Sequence, residues 1–251
     1  MKKLFDSKPV LFAILWIVIY VVGFGSAGIQ TENAALNYAF QIAVGLVICA
    51  VLLGFIRKHR LAAHFGLCGF RGDRKRFLYL IPPFAAATFN IWSGFGLREE
   101  TTAANLLGIL AIGIIGPFLE ELILRSILFR AVARKNTRNG FWIAALSFGI
   151  GHLVNIAYGA PVGETLIQVL FACCTGFCFG AVLYTGKSLL PCILLHMLHN
   201  SMSFIGHTET EHDMLLIPVC LVYIAYGAYL LYTHRKECPL TAAPYPSDSL
   251  E

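Results

Sequence analysis

The chain has 251 residues, of which 57% are hydrophobic and 13% charged, with a mean hydropathy of +0.71 and a formal net charge of +5. A soluble domain carries about 25% charged residues, and a chain this apolar cannot hide its surface from water, so the composition excludes a soluble globular fold. The positive balance does not mark a nucleic-acid binder, because the Lys and Arg residues fall in short loops and tails, where membrane proteins carry their topology signals.

In chain order, Met1 to Lys3 and the apolar run from Pro9 lack a convincing cleavage site, so this segment reads as a first span and not as a secretory signal. Eight spans are expected at about 9–28, 37–56, 77–97, 104–129, 141–158, 166–186, 188–206 and 214–233, each close to the ~20 residues that a crossing helix needs. Residues 57–76 carry seven Lys or Arg, with Leu61, Phe65, Leu67 and Phe70 between them. That pattern fits a segment lying on the membrane surface or a plain basic loop. With both termini cytoplasmic, seventeen Lys and Arg fall on one side of the membrane and only Arg98 on the other, while Arg125 stays inside the fourth span. The fold class is therefore all-α, a polytopic transmembrane helical bundle. Residues 1–238 form one transmembrane domain, and 239–251, rich in Pro, Ser and small residues, is expected to be a disordered tail. Six of the eight cysteines lie in apolar runs, where free Cys serves as a small hydrophobe. Nothing near Cys173, Cys174 and Cys178 completes a tetrahedral metal set.

Within the spans the ionisable residues are few: Glu120, Glu121 and Arg125 in the fourth, His152 in the fifth, His196 and His199 in the seventh. A charge at mid-bilayer costs at least ~2.5–3.5 kcal/mol, so such groups face the protein interior and mark a site. At ~1.5 Å per residue, Glu120 lies about 15 Å in from Arg130 and His152 about 17 Å in from Phe141. His196 and Asn200 lie about 12 and 18 Å in from Ser188 at the same rise. Three helices of alternating direction thus bring polar groups to one level. Glu121 and Arg125, four residues apart, share a face and can neutralise each other, whereas Glu120 is turned about 100° away. Phe148 shares a face with His152. His199 is read as a packing or hydrogen-bonding residue, and Asn90 and Asn155 as interhelical hydrogen-bonding residues. A buried carboxylate beside a histidine suits water activation, and a second histidine with an asparagine amide suits an oxyanion. No Ser sits in a nucleophile motif, and the H-E-x-x-H pattern of zinc peptidases is absent.

At these residues the sequence resembles the CAAX prenyl endopeptidase and bacteriocin-processing (CPBP, ABI) family of intramembrane proteases. Glu120-Glu121-Leu122-Ile123-Leu124-Arg125 is similar to its E-E-x-x-x-R motif, Phe148 to His152 to F-x-x-x-H, and His196 to Asn200 to H-x-x-x-N. The motif-bearing core covers about 104–205. The resemblance implies an eight-helix fold with a conical cavity open to the cytoplasm and membrane. It implies Glu120 as general base with His152, His196 and Asn200 as the oxyanion hole, and Glu121 and Arg125 as support, with Phe148 beside His152. Where many members read Phe-Arg-Gly, this chain has Leu124-Arg125-Ser126. The expected function is an intramembrane endopeptidase acting on a membrane-associated peptide or protein, with no cofactor. The alternatives are a zinc or other divalent-metal version using His152, His196 and Glu120, and a non-proteolytic transporter or bacteriocin-immunity protein. The expected setting is a prokaryotic plasma membrane.

Overall fold

The computed structural model of the protein describes residues 1–69, 80–92, 102–205 and 212–244, and within them it is all helix and turn, with no strand. A short α1 (Lys2–Ser7) leads into α2 (Pro9–Gly25), whose first turn is opened by Pro9 and whose last part, Ile19–Gly25, is wound as π-helix. Helix α3 (Ala34–Lys58) starts on the Asn33 side chain, which accepts from the Leu36 N–H at 3.0 Å, and ends with Arg57 and Lys58 against the negative end of its dipole. After α4 (Ile81–Ala87) comes the long α5 (Ala103–Ala133), π-wound at Ile109–Ile115 and again at Glu121–Leu128. Helix α6 (Thr137–Ala157) is capped by Asn136. α7 (Val162–Gly186) ends at Lys187, which takes a left-handed φ of 54° and lets α8 (Leu190–Met202) fold straight back. α9 (His212–Thr233) closes the bundle.

Among the described residues, five helices are long and apolar enough to cross a bilayer: α3, α5, α6, α7 and the Leu215–Thr233 part of α9. The eight expected spans are therefore matched in part. The first is a 17-residue helix and the seventh only 13 residues. The third is present as the short helices Ile81–Ala87 and Phe89–Ile91, with 70–79 and 93–101 outside the described residues.

Among the described residues, the basic loops close over one end of the bundle. Arg134 donates to the Phe5 and Asp6 carbonyls at 3.3 and 3.4 Å, and Ser188 Oγ donates to the Cys68 carbonyl at 2.9 Å. Leu189 N–H reaches the Gly66 carbonyl at 2.8 Å. Gly66 has φ +71°, and a Cβ there would come within 3.1 Å of the Leu189 nitrogen, so the position requires glycine. Phe5, Phe12, Phe55 and Phe65 pack together beneath, with centroids 5.5–5.8 Å apart. Thus 61–69 is folded against the protein by turns and is not wound as a helix, while 70–76 of the basic segment lie outside the described residues. The chain after α9 returns to the start of α6. Thr137 N–H donates to the Ala243 carbonyl and Arg138 N–H to the Thr241 carbonyl, both at 3.0 Å, while 245–251 lie outside the described residues.

His64 belongs to this end, its ring edge-on to Phe5 and Phe65. Burial first, then the charges of Arg130, Arg134 and Lys2, push its pKa down to about 4 from an ordinary ~6.5. The folded state therefore binds this proton less readily than the unfolded chain. The stability held above about pH 6.5 is lost as pH falls towards 4. Thermal unfolding in detergent should show Tm falling across that window, and a His64→Gln variant should flatten the fall; an equal slope in both would exclude His64 as its source.

Candidate functional site

Close helix packing positions the site. Gly149 and Gly176 bring α6 and α7 together so tightly that a Cβ on Gly149 would lie 2.7 Å from the Val169 carbonyl oxygen and 2.8 Å from the Cys173 nitrogen. This places Phe148 and His152, on either side of Gly149, against the core. On the other side, the π-wound turns of α5 leave the Ile112 and Gly113 carbonyls to α8: Asn200 Nδ2 donates to the first at 3.1 Å and Ser201 Oγ to the second at 3.5 Å. Gly113 permits the approach, because a Cβ there would come within 2.6 Å of Ser201 Oγ.

Glu121 and Arg125 form an intrahelical ion pair, at 0% and 1% exposure. The Arg125 guanidinium lies over the Phe148 ring, 4.3 Å from its centroid, with Phe179 at 5.2 Å. Among the described residues its Nε and Nη2 meet no hydrogen-bond acceptor, and ring faces take the place of further oxygen partners. The same carboxylate oxygen, Glu121 Oε1, also accepts from His196 Nδ1 at 2.9 Å. The pair is thus a bracket for a third residue, which the i, i+4 spacing alone does not show.

His196 Nε2 faces Glu120 Oε2 at 3.6 Å, too far for a hydrogen bond but within ion-pair reach. Glu120 Oε1 accepts instead from the Tyr20 hydroxyl of α2 at 2.7 Å. His152 is not bonded to Glu120. Its Nδ1 lies 2.8 Å from the Phe148 carbonyl, which fixes Nδ1 as the protonated nitrogen and leaves the Nε2 lone pair for chemistry. Phe148 stands edge-on to both imidazoles, 5.5 Å from His152 and 5.3 Å from His196.

Glu120, His152, His196 and Asn200 all line one cavity of about 550 Å³. Its other walls are mostly apolar and include Ile17, Phe24, Ile112, Leu124, Phe171 and Phe179. The lining runs from mid-bundle towards Gly25, Gln41, Tyr158 and Gln168, the half away from the basic loops.

His199 stacks between Phe89 and Phe171, centroids 5.5 and 5.0 Å away, as a packing residue at the cavity wall. Asn90 Nδ2 donates to the His199 carbonyl at 3.3 Å and Asn155 Nδ2 to Gln168 Oε1 at 2.9 Å, both between helices. Ser147 and Ser201 spend their hydroxyls on backbone carbonyls, so neither is presented as a nucleophile. Ser126 donates to the Phe65 carbonyl at 2.8 Å and ties the motif helix to the 61–69 segment. The eight cysteines are all free. Among the described residues no three His, Cys, Asp or Glu groups are arranged to hold a metal ion. The residue missed by sequence reasoning is Tyr20: a tyrosine in an apolar run is ordinary, and only the packing of α2 on α5 makes it a partner of Glu120.

Residues 102–202, which carry all three motifs, match the family model described as type II CAAX prenyl endopeptidase Rce1-like, and this supports the resemblance drawn from the motifs. No curated protein and no solved structure matches the chain.

Proposed function

We propose, from the family that residues 102–202 match, that this integral membrane protein hydrolyses a peptide bond in a membrane-associated peptide or protein. The observation that carries the reading is the gathering of Glu120, His152, His196 and Asn200 around one cavity inside an apolar bundle. Glu120 Oε2, with its partner oxygen already occupied by Tyr20, takes the proton of the attacking water, and the free Nε2 of His152 orients that water from the facing helix. Negative charge then develops on the former carbonyl oxygen. Asn200 has a second amide proton beyond the one given to Ile112, and His196 offers a donor at Nε2 when both ring nitrogens are protonated. With His196 as imidazolium, the charges of Glu120, Glu121, Arg125 and His196 sum to zero, which suits a buried cluster.

A cleavage assay on membrane-tethered peptides in proteoliposomes, run beside a proton-flux measurement, tests the reading. Hydrolysis supports it, and proton flux without hydrolysis replaces it with transport. A divalent-metal version of the same reaction has one feature in its favour: both imidazoles hand Nδ1 to an oxygen acceptor, as metal-ligating histidines do. Elemental analysis decides between them, because stoichiometric zinc whose removal stops cleavage would displace the metal-free mechanism.

A further inference from the structure

Tyr20 lies outside the family-matched segment yet lines the same cavity as Glu120. Its hydroxyl donates to Glu120 Oε1 at 2.7 Å, which leaves Oε2 as the oxygen directed at His196 Nε2, 3.6 Å away. The phenol ring is held for this contact. It stacks on Phe24 with centroids 5.3 Å apart and planes at 16°, and Phe24 in turn is seated on two glycines. A Cβ on Gly45 or Gly116 would come within 3.1 or 3.6 Å of the Phe24 ring. Tyr20 also falls in the π-wound part of α2, and the carboxylate it meets adjoins the π-wound Glu121–Leu128 of α5. Widened turns of this kind recur at functional sites, where they redirect a side chain that regular winding would aim elsewhere.

We infer that Tyr20 is a positioning residue for the hydrolytic step, holding the Glu120 carboxylate so that one oxygen is occupied and the other is presented to water. The inference rests on the reading of Glu120 as general base. The terminal torsion of a glutamate is broad and nearly two-fold, so an unheld carboxylate must be ordered during the reaction. A donor from a separate helix orders it beforehand. A residue acting this way changes the rate of the chemical step and leaves substrate binding alone.

The test is the steady-state kinetics of Tyr20→Phe, which keeps the ring and its stacking but removes the donor. We expect kcat to fall about 10- to 100-fold, the range for losing a hydrogen bond to a charged group, with KM near its native value. Unchanged kcat, or a rise in KM alone, would overturn the inference. If Tyr20→Phe does not fold, 4-fluorophenylalanine at position 20 keeps the ring, its stacking and nearly its length while removing the O–H donor; kcat should then drop at constant KM, and an unchanged kcat would equally overturn it. Glu120→Gln separates the two readings. A dead Glu120→Gln with a fully active Tyr20→Phe removes the role of Tyr20 alone, whereas an active Glu120→Gln removes the general base itself.

Discussion

Replacing Glu120 with Gln should reduce kcat for peptide cleavage by about 10³-fold, in the middle of the range that general base catalysis contributes, while leaving the protein folded. The substitution preserves shape, and the amide oxygen can still accept from the Tyr20 hydroxyl that now binds Oε1. What is lost is the proton acceptor at Oε2, the atom that faces His196. Because Glu120 is not part of the Glu121–Arg125 pair, its neutralisation leaves that pair intact, and His196 keeps Glu121 as its partner. Cleavage kinetics beside a thermal unfolding curve would check both halves. Wild-type turnover in a folded Glu120→Gln protein would remove Glu120 from the chemistry.

Arg125 is the second position where a single change should have a large effect, this time on folding. Arg125→Met leaves the fully buried Glu121 with His196 as its remaining partner, and uncompensated buried charge of this kind costs about 3–5 kcal/mol. Arg125→Lys keeps the charge but not the flat guanidinium lying over Phe148, so it should recover only part of that loss. The double variant Glu121→Leu, Arg125→Met removes both charges together and should regain most of the stability. It should nevertheless remain inactive, because His196 Nδ1 loses the carboxylate that orients it. Unfolding of all three in detergent, with cleavage measured on the double variant, tests the assignment; full activity there would show that the pair does not serve His196.

These charges were legible in the sequence because apolar spans make each ionisable residue conspicuous, and a helix period places Glu121 and Arg125 on one face without further information. The period says nothing about which neighbouring helix meets that face. Glu121 reaching His196 therefore came only from the packing of α8 against α5, as did the separation of His152 from Glu120. Hydropathy also overstated the regularity of the bundle. The run 188–206 is apolar enough to read as a full span, but Pro191 near its start and the turn after Met202 confine the helix to 13 residues.

The shortness of α8 has a consequence for the membrane itself. Thirteen residues rise about 20 Å, against a hydrocarbon layer of about 30 Å. The last turn of α8 has carbonyls supplied from within the protein, by Asn90 Nδ2 at His199 and Ser203 Oγ at Asn200. A bilayer meeting so short an element thins towards it. Under the proposed hydrolytic reading, thinning of this kind would shorten the path of water to Asn200 and Glu120, both of which line the cavity.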